Sequence, residues 1–223
     1  MAGLVVTDAR GDAALKSLKF ASRDLLKRAF DIVVASIALI VALPLFLVIA
    51  FFVSRDGGPV FYSHRRVGRG GVPFDCIKFR SMSVDGAEIL RRYLDENEDA
   101  RIEWAERRKL TNDPRVTRIG RFLRASSLDE LPQLINVLRG EMSLVGPRPV
   151  TDEELARYGR HARNYVECVP GITGLWQVSG RSETTYRRRV ALDTVYSIRR
   201  DFLLDLEIII RTVPAVLFRY GAE

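Results

Sequence analysis

The feature that most restricts the fold of this chain is an uncharged stretch of 22 residues, from Ile32 to Val53. As a straight α-helix it would measure about 33 Å, enough to cross the roughly 30 Å hydrocarbon core of a bilayer. It has no polar face at any helical phase, which disfavours a buried helix of a soluble domain. For a signal peptide it is too long and starts too late, and no small-residue cleavage site precedes Ser54. We therefore expect this segment to insert into a membrane.

Two paths through the membrane are compatible with the residues alone. Pro44, near the middle of the stretch, removes one backbone hydrogen bond and predicts a kink, which a spanning helix tolerates. Basic residues prefer the cytoplasmic side, and they flank the stretch at both ends, so a helix that is broken at Pro44 and returns to the same face satisfies both flanks. The flanking basic residues are Lys19, Arg23, Lys27 and Arg28 upstream, and Arg55, Arg65, Arg66 and Arg69 downstream.

The charge pattern divides the chain into three parts. Residues 13–30 place leucines and cations at helical spacing, which predicts an amphipathic helix on the membrane surface. We therefore assign residues 1–28 to a tail with this helix, residues 29–56 to the membrane segment and residues 57–223 to a globular part.

The globular part is expected to be α+β, mostly helical with one small β-hairpin. Two short extended runs, residues 60–62 and 74–79, enclose a turn that is rich in glycine, which predicts the hairpin. Residues 146–149 contain two prolines and predict an ordered loop. The helical predictions cover residues 84–109, 119–123, 128–138, 152–167, 183–200 and 203–219.

Charge and composition narrow the class of partner. The net charge of +7 favours nucleic acid, an acidic membrane surface or a phosphorylated substrate. No nucleic acid is expected, because aromatic residues do not interleave with the basic ones and the membrane segment would have no role. Two histidines and two distant cysteines indicate neither a histidine-rich metal site nor a disulfide scaffold. The acidic run at residues 95–99 is more typical of a solvated helix face than of a metal site.

The densest polar cluster, residues 124–133, has two interpretations. Ser127 and Glu130 have the spacing of a capping box, in which each side chain satisfies a free amide at a helix start, and Asp129 would then favour the helix dipole. The alternative is a site in which Asp129 serves as a nucleophile or magnesium ligand. Basic residues that suit phosphate oxygens are available elsewhere in the chain, at Lys78, Arg80, Arg124, Arg148 and Arg181.

At this point the chain resembles a known family, the monotopic phosphoglycosyl transferases, which are bacterial sugar transferases that begin exopolysaccharide or glycan assembly. The resemblance runs from about Lys27 to Phe218 and rests on five ordered blocks of sequence. These blocks are residues 78–82 (KFRSM), 127–133 (SLDELPQ), 146–149 (GPRP), 170–181 (PGITGLWQVSGR), and Asp193 with Tyr196.

The resemblance implies a function and a site. Asp129 matches the nucleophile that attacks the sugar-linked phosphate of a UDP-sugar and releases UMP, and Glu130 matches its partner, which is associated with Mg²⁺. The acceptor would be undecaprenyl phosphate, which would attack the phosphosugar held covalently on Asp129; glucose and galactose are the leading candidates for the sugar. Arg124, Arg148 and Arg181 match arginines that surround the phosphates, Lys78 matches a required lysine and Asp193 matches an additional acidic residue. Arg80 is predicted to bind phosphate from the residues alone.

The resemblance also implies a location. In the family the membrane segment is a re-entrant helix-break-helix in the bacterial inner membrane, and both of its ends and the catalytic domain (here residues 57–223) lie at the cytoplasmic face. One departure concerns the break: the family often has serine before the proline, whereas Leu43 precedes Pro44 here and cannot satisfy a freed carbonyl. The partners expected are the donor, the acceptor and inner-membrane lipids, and the sequence leaves oligomerisation open.

Overall fold

A computed structural model of the chain describes residues 9–107, 109–180 and 185–217. The fold is α+β and mostly helical, with two small two-stranded sheets. The helices are α1 (Ala9–Ser54), α2 (Gly86–Glu96), α3 (Glu98–Arg107), α4 (Arg118–Ser126), α5 (Gln133–Arg139), α6 (Asp152–Ala156), α7 (Ala162–Val166), α8 (Tyr186–Arg199) and α9 (Phe202–Leu217), and the strands are β1 (Phe61–Val67), β2 (Pro73–Phe79), β3 (Ser143–Val145) and β4 (Gly171–Thr173).

Helix α1 contains the whole apolar stretch. It is 46 residues long and continues through Pro44, so the predicted break does not appear as an interruption of helical structure, and the re-entrant path stays a prediction. The predicted surface helix over residues 13–30 is the first part of this same helix. Within the described residues, 24–54 form one helical segment of 31 residues that contains an 18-residue window of mean hydropathy 3.1, and this length and hydropathy suit a membrane span.

One face of α1 packs against the globular part along most of the apolar stretch. Asp31, Ala35, Ile49 and Val53 are buried, and Phe46 contacts Phe79 with its ring centroid 4.7 Å away. These residues recur at the spacing of a single helical stripe. The large apolar side chains on the rest of the surface of α1 are exposed, among them Ile37, Ile40, Val41, Leu47, Val48 and Phe51.

Polar contacts hold the first part of α1 to the globular domain. The Lys27 ammonium lies 2.5 Å from an oxygen of Asp205, which is buried on α9, and 3.0 Å from the carbonyl oxygen of Val145. The guanidinium of Arg28 donates to the carbonyls of Val137 and Leu138 in the last turn of α5. A cation at the C-terminal end of a helix satisfies carbonyls that have no partner within the helix.

The hairpin is confirmed, whereas the second sheet is new. Strands β1 and β2 pair antiparallel, with Tyr62 opposite Lys78 and Arg66 opposite Phe74. Strands β3 and β4 pair parallel, Ser143 opposite Gly171 and Val145 opposite Thr173, so each pair is 28 positions apart in sequence, a contact that no local pattern predicted.

The apolar core is divided into clusters that differ in their relation to α1. Two clusters include buried residues of α1, one through Ala35 and the other through Ile49 and Val53. A third cluster contains no described residue of α1, and we call it the distal cluster. Its buried members are Val67, Val150, Tyr158, Tyr165 and Val190.

Candidate active site

The acidic pair Asp129 and Glu130 lies in a tight 3-10 turn between α4 and α5. Ser127 closes α4 with a left-handed backbone (φ 57°), and its amide donates to the carbonyls of Leu123 and Arg124. The capping box predicted for Ser127 and Glu130 is therefore wrong, because an N-cap needs an extended backbone and Ser127 makes no such side-chain hydrogen bond. A capping box is instead formed farther along the chain, by Thr151 and Glu154 at the start of α6.

Two leucines fix the turn to the core on either side of the acidic pair. Leu128 and Leu131 pack against the cluster of Ile49, Val53 and Phe79, so the turn rests on buried residues of α1. With the leucines directed inward, the two acidic side chains are left partly exposed, and Glu130 lies in the wall of a polar cavity. The apolar helix α1 and the acidic pair are thus parts of one packed unit.

Glu130 is held by two cations. Its Oε1 accepts from Lys78 Nζ at 2.6 Å and from Arg148 Nη2 at 2.9 Å. Burial on its own would raise the pKa of Glu130, but Arg148 and Lys78 outweigh burial and hold the pKa at about 2. Glu130 is therefore ionised at physiological pH, and we call Lys78, Glu130 and Arg148 the proximal triplet.

Asp129 is less constrained than its neighbour. Its Oδ2 lies 3.6 Å from Lys78 Nζ, and no described residue donates a hydrogen bond to the carboxylate. Burial raises the pKa of Asp129, and the negative charge of Glu130 adds to the increase, while Lys78 opposes it. No helix begins at this residue, so the nearby cations, and not a helix dipole, favour its charged form. A carboxylate with unpaired lone pairs beside cations suits nucleophilic attack on an anionic phosphate.

Of two other arginines predicted to bind phosphate, the structure describes Arg124 but not Arg181. Arg124 donates from Nε to the Ser81 hydroxyl at 2.9 Å, and its charge favours the ionised form of Asp129. It therefore lies near Asp129, and its predicted role in phosphate binding stays a prediction. Arg181 falls outside the described residues, so its predicted role stays a prediction.

Arg80 is a structural residue, which contradicts the prediction that it binds phosphate. Its guanidinium donates to both carboxylate oxygens of Asp56 and to the carbonyls of Val53, Pro59 and Met82. These bonds use all five of its N–H donors. Arg80 therefore closes the C-terminal end of α1 and joins it to the hairpin, because a buried guanidinium whose donors are all taken cannot accept a phosphate.

Asp193 lies behind the cavity and not in its wall. It is buried on α8, where its Oδ2 accepts from the Tyr158 hydroxyl at 2.7 Å. Its other oxygen has no partner among the described residues. Burial raises the pKa of Asp193 to about 6. It is one helical turn from Arg189, whose positive charge favours its ionised form.

The structure adds three residues that sequence reasoning did not place in the site, namely Arg66, Glu154 and Arg189. They line a cavity of about 180 Å³ together with the proximal triplet. Arg66 lies 3.0 Å from Oε2 of Glu154, and Arg189 lies 4.0 Å from Oε1 of the same carboxylate. We call these three residues the distal triplet. The alternation of the hairpin places Arg66 on the same face as Lys78, a signal that could have identified it.

The acidic pair also meets a simple test as a magnesium site. Within the described residues no cluster of three or more potential metal ligands occurs, so an all-protein metal cage is not present there. Magnesium usually binds through one or two carboxylates, substrate phosphates and water. Asp129 is not hydrogen-bonded by any described residue, and only Oε1 of Glu130 is occupied by cations, so the pair fits that pattern.

Comparison with known proteins shows the family to which the chain belongs. A family model for bacterial sugar transferases matches residues 22–219. The exopolysaccharide production protein ExoY of Rhizobium meliloti is 51% identical over 197 residues, which cover 88% of this chain and 87% of that protein.

Two further relatives have names that state a reaction. The undecaprenyl-phosphate galactose phosphotransferase of Salmonella typhimurium is 50% identical over 88% of this chain and 41% of its own length. The UDP-glucose:undecaprenyl-phosphate glucose-1-phosphate transferase of Caulobacter vibrioides is 41% identical over 87% of this chain and 70% of its own length.

Proposed function

We propose that the chain starts exopolysaccharide assembly. The premise is that it belongs to the bacterial sugar transferase family and is a phosphoglycosyl transferase. It transfers a hexose-1-phosphate, from UDP-glucose or UDP-galactose, to undecaprenyl phosphate and releases UMP. The relatives support this proposal, since their names include both hexoses and the same lipid acceptor.

The observation that carries the proposal is the position of Asp129. Its carboxylate lies 3.6 Å from Lys78 and next to the proximal triplet, whose three side chains line a cavity in which cations outnumber carboxylates. The turn that holds it packs on α1. This position supports Asp129 as the nucleophile, because an anionic donor from water and a lipid phosphate from the membrane could both reach it.

In the first step, an oxygen of Asp129 forms a bond to the sugar-linked phosphorus of the donor. The bond from that phosphorus to the oxygen shared with the second phosphate breaks, and that oxygen leaves as part of UMP. The product on the enzyme is an acyl phosphate that carries the hexose. Lys78 and Arg148 stabilise the charge on the phosphate oxygens in the transition state, since preorganised cations need no rearrangement.

In the second step, an oxygen of undecaprenyl phosphate attacks the same phosphorus. The bond to Asp129 breaks, the carboxylate is regenerated and undecaprenyl diphosphate-hexose leaves. No net proton is required in either step, because the attacking groups are anions and the leaving groups leave as anions. Asp129 and Glu130 would hold Mg²⁺, which would neutralise charge on the donor phosphates when bound.

Contacts on both sides of Pro44 support a monotopic placement at the cytoplasmic face of the inner membrane. Lys27 and Asp31 contact the globular domain before the proline, and Phe46, Ile49 and Val53 contact it afterwards. A helix that crossed the bilayer would carry its two ends to opposite sides, and one domain outside the membrane could not contact both. Such contacts favour the path that enters and leaves by the same face.

The test uses the full chain in detergent with undecaprenyl phosphate, Mg²⁺ and a panel of UDP-sugars, with released UMP as the readout. We expect UMP from UDP-glucose or UDP-galactose, and its loss in Asp129→Asn, which keeps the shape but removes the nucleophile. Asp152→Asn is the matched control, because Asp152 is exposed on α6. Turnover by Asp129→Asn at the wild-type rate would contradict the covalent mechanism, and no UMP from any donor would contradict the proposed reaction.

A further inference from the structure

The cavity at the active site has a second half with no assigned role, which is the distal triplet. Arg66, Glu154 and Arg189 repeat the arrangement of Lys78, Glu130 and Arg148, with one carboxylate between two cations. Four cations and two carboxylates line the cavity in total, so the cavity carries a surplus of two positive charges. Burial raises the pKa of Cys76, the thiol in the same wall, which keeps it neutral. The surplus favours an anionic ligand.

Arg189 is the residue of the distal triplet with the most unused hydrogen-bonding capacity. Its Nε and Nη2 atoms are buried and have no acceptor among the described residues. Its guanidinium carbon lies 5.0 Å from the ring centroid of Trp176, whose buried indole N–H also lacks an acceptor there. Buried donors without acceptors are costly, so three of them at one place indicate a ligand that is rich in acceptor oxygens.

Glu154 holds the two arginines apart and does not neutralise both. Its Oε2 accepts from Arg66 and from the amide of Thr151, as part of the capping box of α6. Its Oε1 lies 4.0 Å from Arg189, beyond hydrogen-bond distance. Arg189 is therefore positioned by Trp176 and Glu154, lines the cavity, and keeps donors that no described residue accepts.

We propose that the distal triplet binds the nucleotide-side phosphate of the donor, and retains it as the phosphate of UMP after the first step. This inference rests on the proposed function. The position of the triplet selects this phosphate over that of the lipid. The Arg189 guanidinium carbon lies 5.7 Å from the ring centroid of Tyr186, and the Tyr186 hydroxyl donates to the carbonyl of Glu154. Tyr186 packs on the distal cluster, which includes no described residue of α1. A lipid phosphate approaches from the side of α1, whereas a soluble nucleotide approaches from the opposite side.

The chemistry assigns a different phosphate of the donor to each triplet. The sugar-linked phosphate must lie at Asp129, next to the proximal triplet. The other phosphate gains negative charge as its bond to the shared oxygen breaks. Arginines that contact this leaving group stabilise the charge, because a bidentate guanidinium matches two phosphate oxygens.

The experiment measures binding of UMP and of uridine to the full chain by titration calorimetry, with no turnover. Arg189→Gln and Arg66→Gln should each weaken UMP binding roughly 10- to 100-fold, the range for one charged hydrogen-bond partner, while uridine binding changes less than about twofold. Arg188→Gln is the matched control, since Arg188 is exposed on the same helix and carries the same charge. It should bind UMP as the wild type does.

Several outcomes would overturn the inference. Wild-type UMP affinity in both variants would do so, as would an equal loss of UMP and uridine, or an equal loss in the Arg188→Gln control. A raised KM for undecaprenyl phosphate with unchanged UMP binding would assign the triplet to the lipid instead. Because Arg66 and Arg189 lie on different elements, misfolding of one variant leaves the other to decide. The wild-type release of UMP from UDP-sugars separately tests the proposed function.

Discussion

The Lys78 ammonium lies 2.6 Å from Oε1 of Glu130, within hydrogen-bond distance, and only 1 Å farther from Asp129. One cation thus serves two neighbouring carboxylates, and it binds the one that we do not propose as the nucleophile. This arrangement keeps Glu130 charged and leaves an oxygen of Asp129 free for a phosphate.

The first prediction concerns the pH dependence of kcat/KM. Burial raises the pKa of Asp129, Lys78 lowers it and Glu130 raises it, and activity requires the ionised form. Activity should therefore fall as the pH decreases through this raised pKa. Lys78→Gln should move the acid limb to higher pH, and Glu130→Gln should move it to lower pH.

Both variants should also reduce kcat/KM, by roughly 100-fold, because each removes a group that positions or stabilises the reacting phosphate. UMP release measured from pH 5 to pH 8 gives both quantities. A shift of the acid limb in the same direction in both variants would show that Asp129 does not control it.

The second prediction separates Arg80 from catalysis. Arg80→Lys cannot reproduce five N–H donors, so Asp56 and the carbonyls at the end of α1 lose partners. We expect the free energy of unfolding to fall by roughly 2–4 kcal/mol. The KM for the UDP-sugar in the folded fraction should stay at the wild-type value.

Arg55→Lys is the control for that measurement, because Arg55 is exposed near the same helix end. Thermal unfolding in detergent gives the stability and UMP release gives the KM. A raised KM with unchanged stability in Arg80→Lys would show that Arg80 binds the donor phosphate after all.

The third prediction concerns Asp193. Burial raises its pKa from 3.8 to about 6. Between these two pH values the folded protein therefore holds a proton on Asp193 that the unfolded chain has lost. The stability associated with this group is therefore full below about pH 4 and is lost as the pH rises through 6. The difference in pKa corresponds to roughly 3 kcal/mol.

Asp193→Asn keeps an acceptor for the Tyr158 hydroxyl and removes the charge. Its stability relative to the wild type should increase as the pH rises from 4 to 7, as measured by thermal unfolding at several pH values. Asp152→Asn, at an exposed position, should show no such trend. A constant difference between Asp193→Asn and the wild type would mean that Asp193 titrates normally.

The fourth prediction concerns the path of α1. Cysteines introduced by Gly3→Cys and Gly221→Cys should both react with a membrane-impermeant maleimide only after the cells are opened. The two native cysteines are buried and give little background. Labelling of position 3 in intact spheroplasts would show that the helix spans the membrane.

Local sequence patterns predicted the elements well and the contacts between them less well. The hairpin follows from a glycine-rich turn and from alternation, which are local properties. The pairing of β3 with β4 depends on packing between distant segments, which local patterns do not contain. Ser127 shows the same limit, because its capping motif is overridden by the end of α4, where the chain needs a left-handed residue.

The site was predicted in the same uneven way. Asp129, Glu130, Lys78 and Arg148 come together as the family resemblance implied. Arg80 does not join them, because it follows Phe79, the last residue of β2, and its guanidinium is bound by Asp56 and by the carbonyl of Val53 at the end of α1. Arg189 could not be selected from a helix with several arginines, because only tertiary packing buries it against Trp176.

The contacts that hold α1 to the globular domain affect how the proposed substrates reach Asp129. Lys27 and Arg28 fix the helix just before its apolar stretch, and Arg80 fixes it just after that stretch, so α1 and the turn that carries Asp129 move as one body. On the proposed membrane placement, an enzyme fixed in this way diffuses only within the plane, whereas one on a flexible tether could search the volume beside the membrane. Encounter with the proposed lipid acceptor would then be a two-dimensional search at fixed depth, and the sugar nucleotide alone would arrive by diffusion in three dimensions.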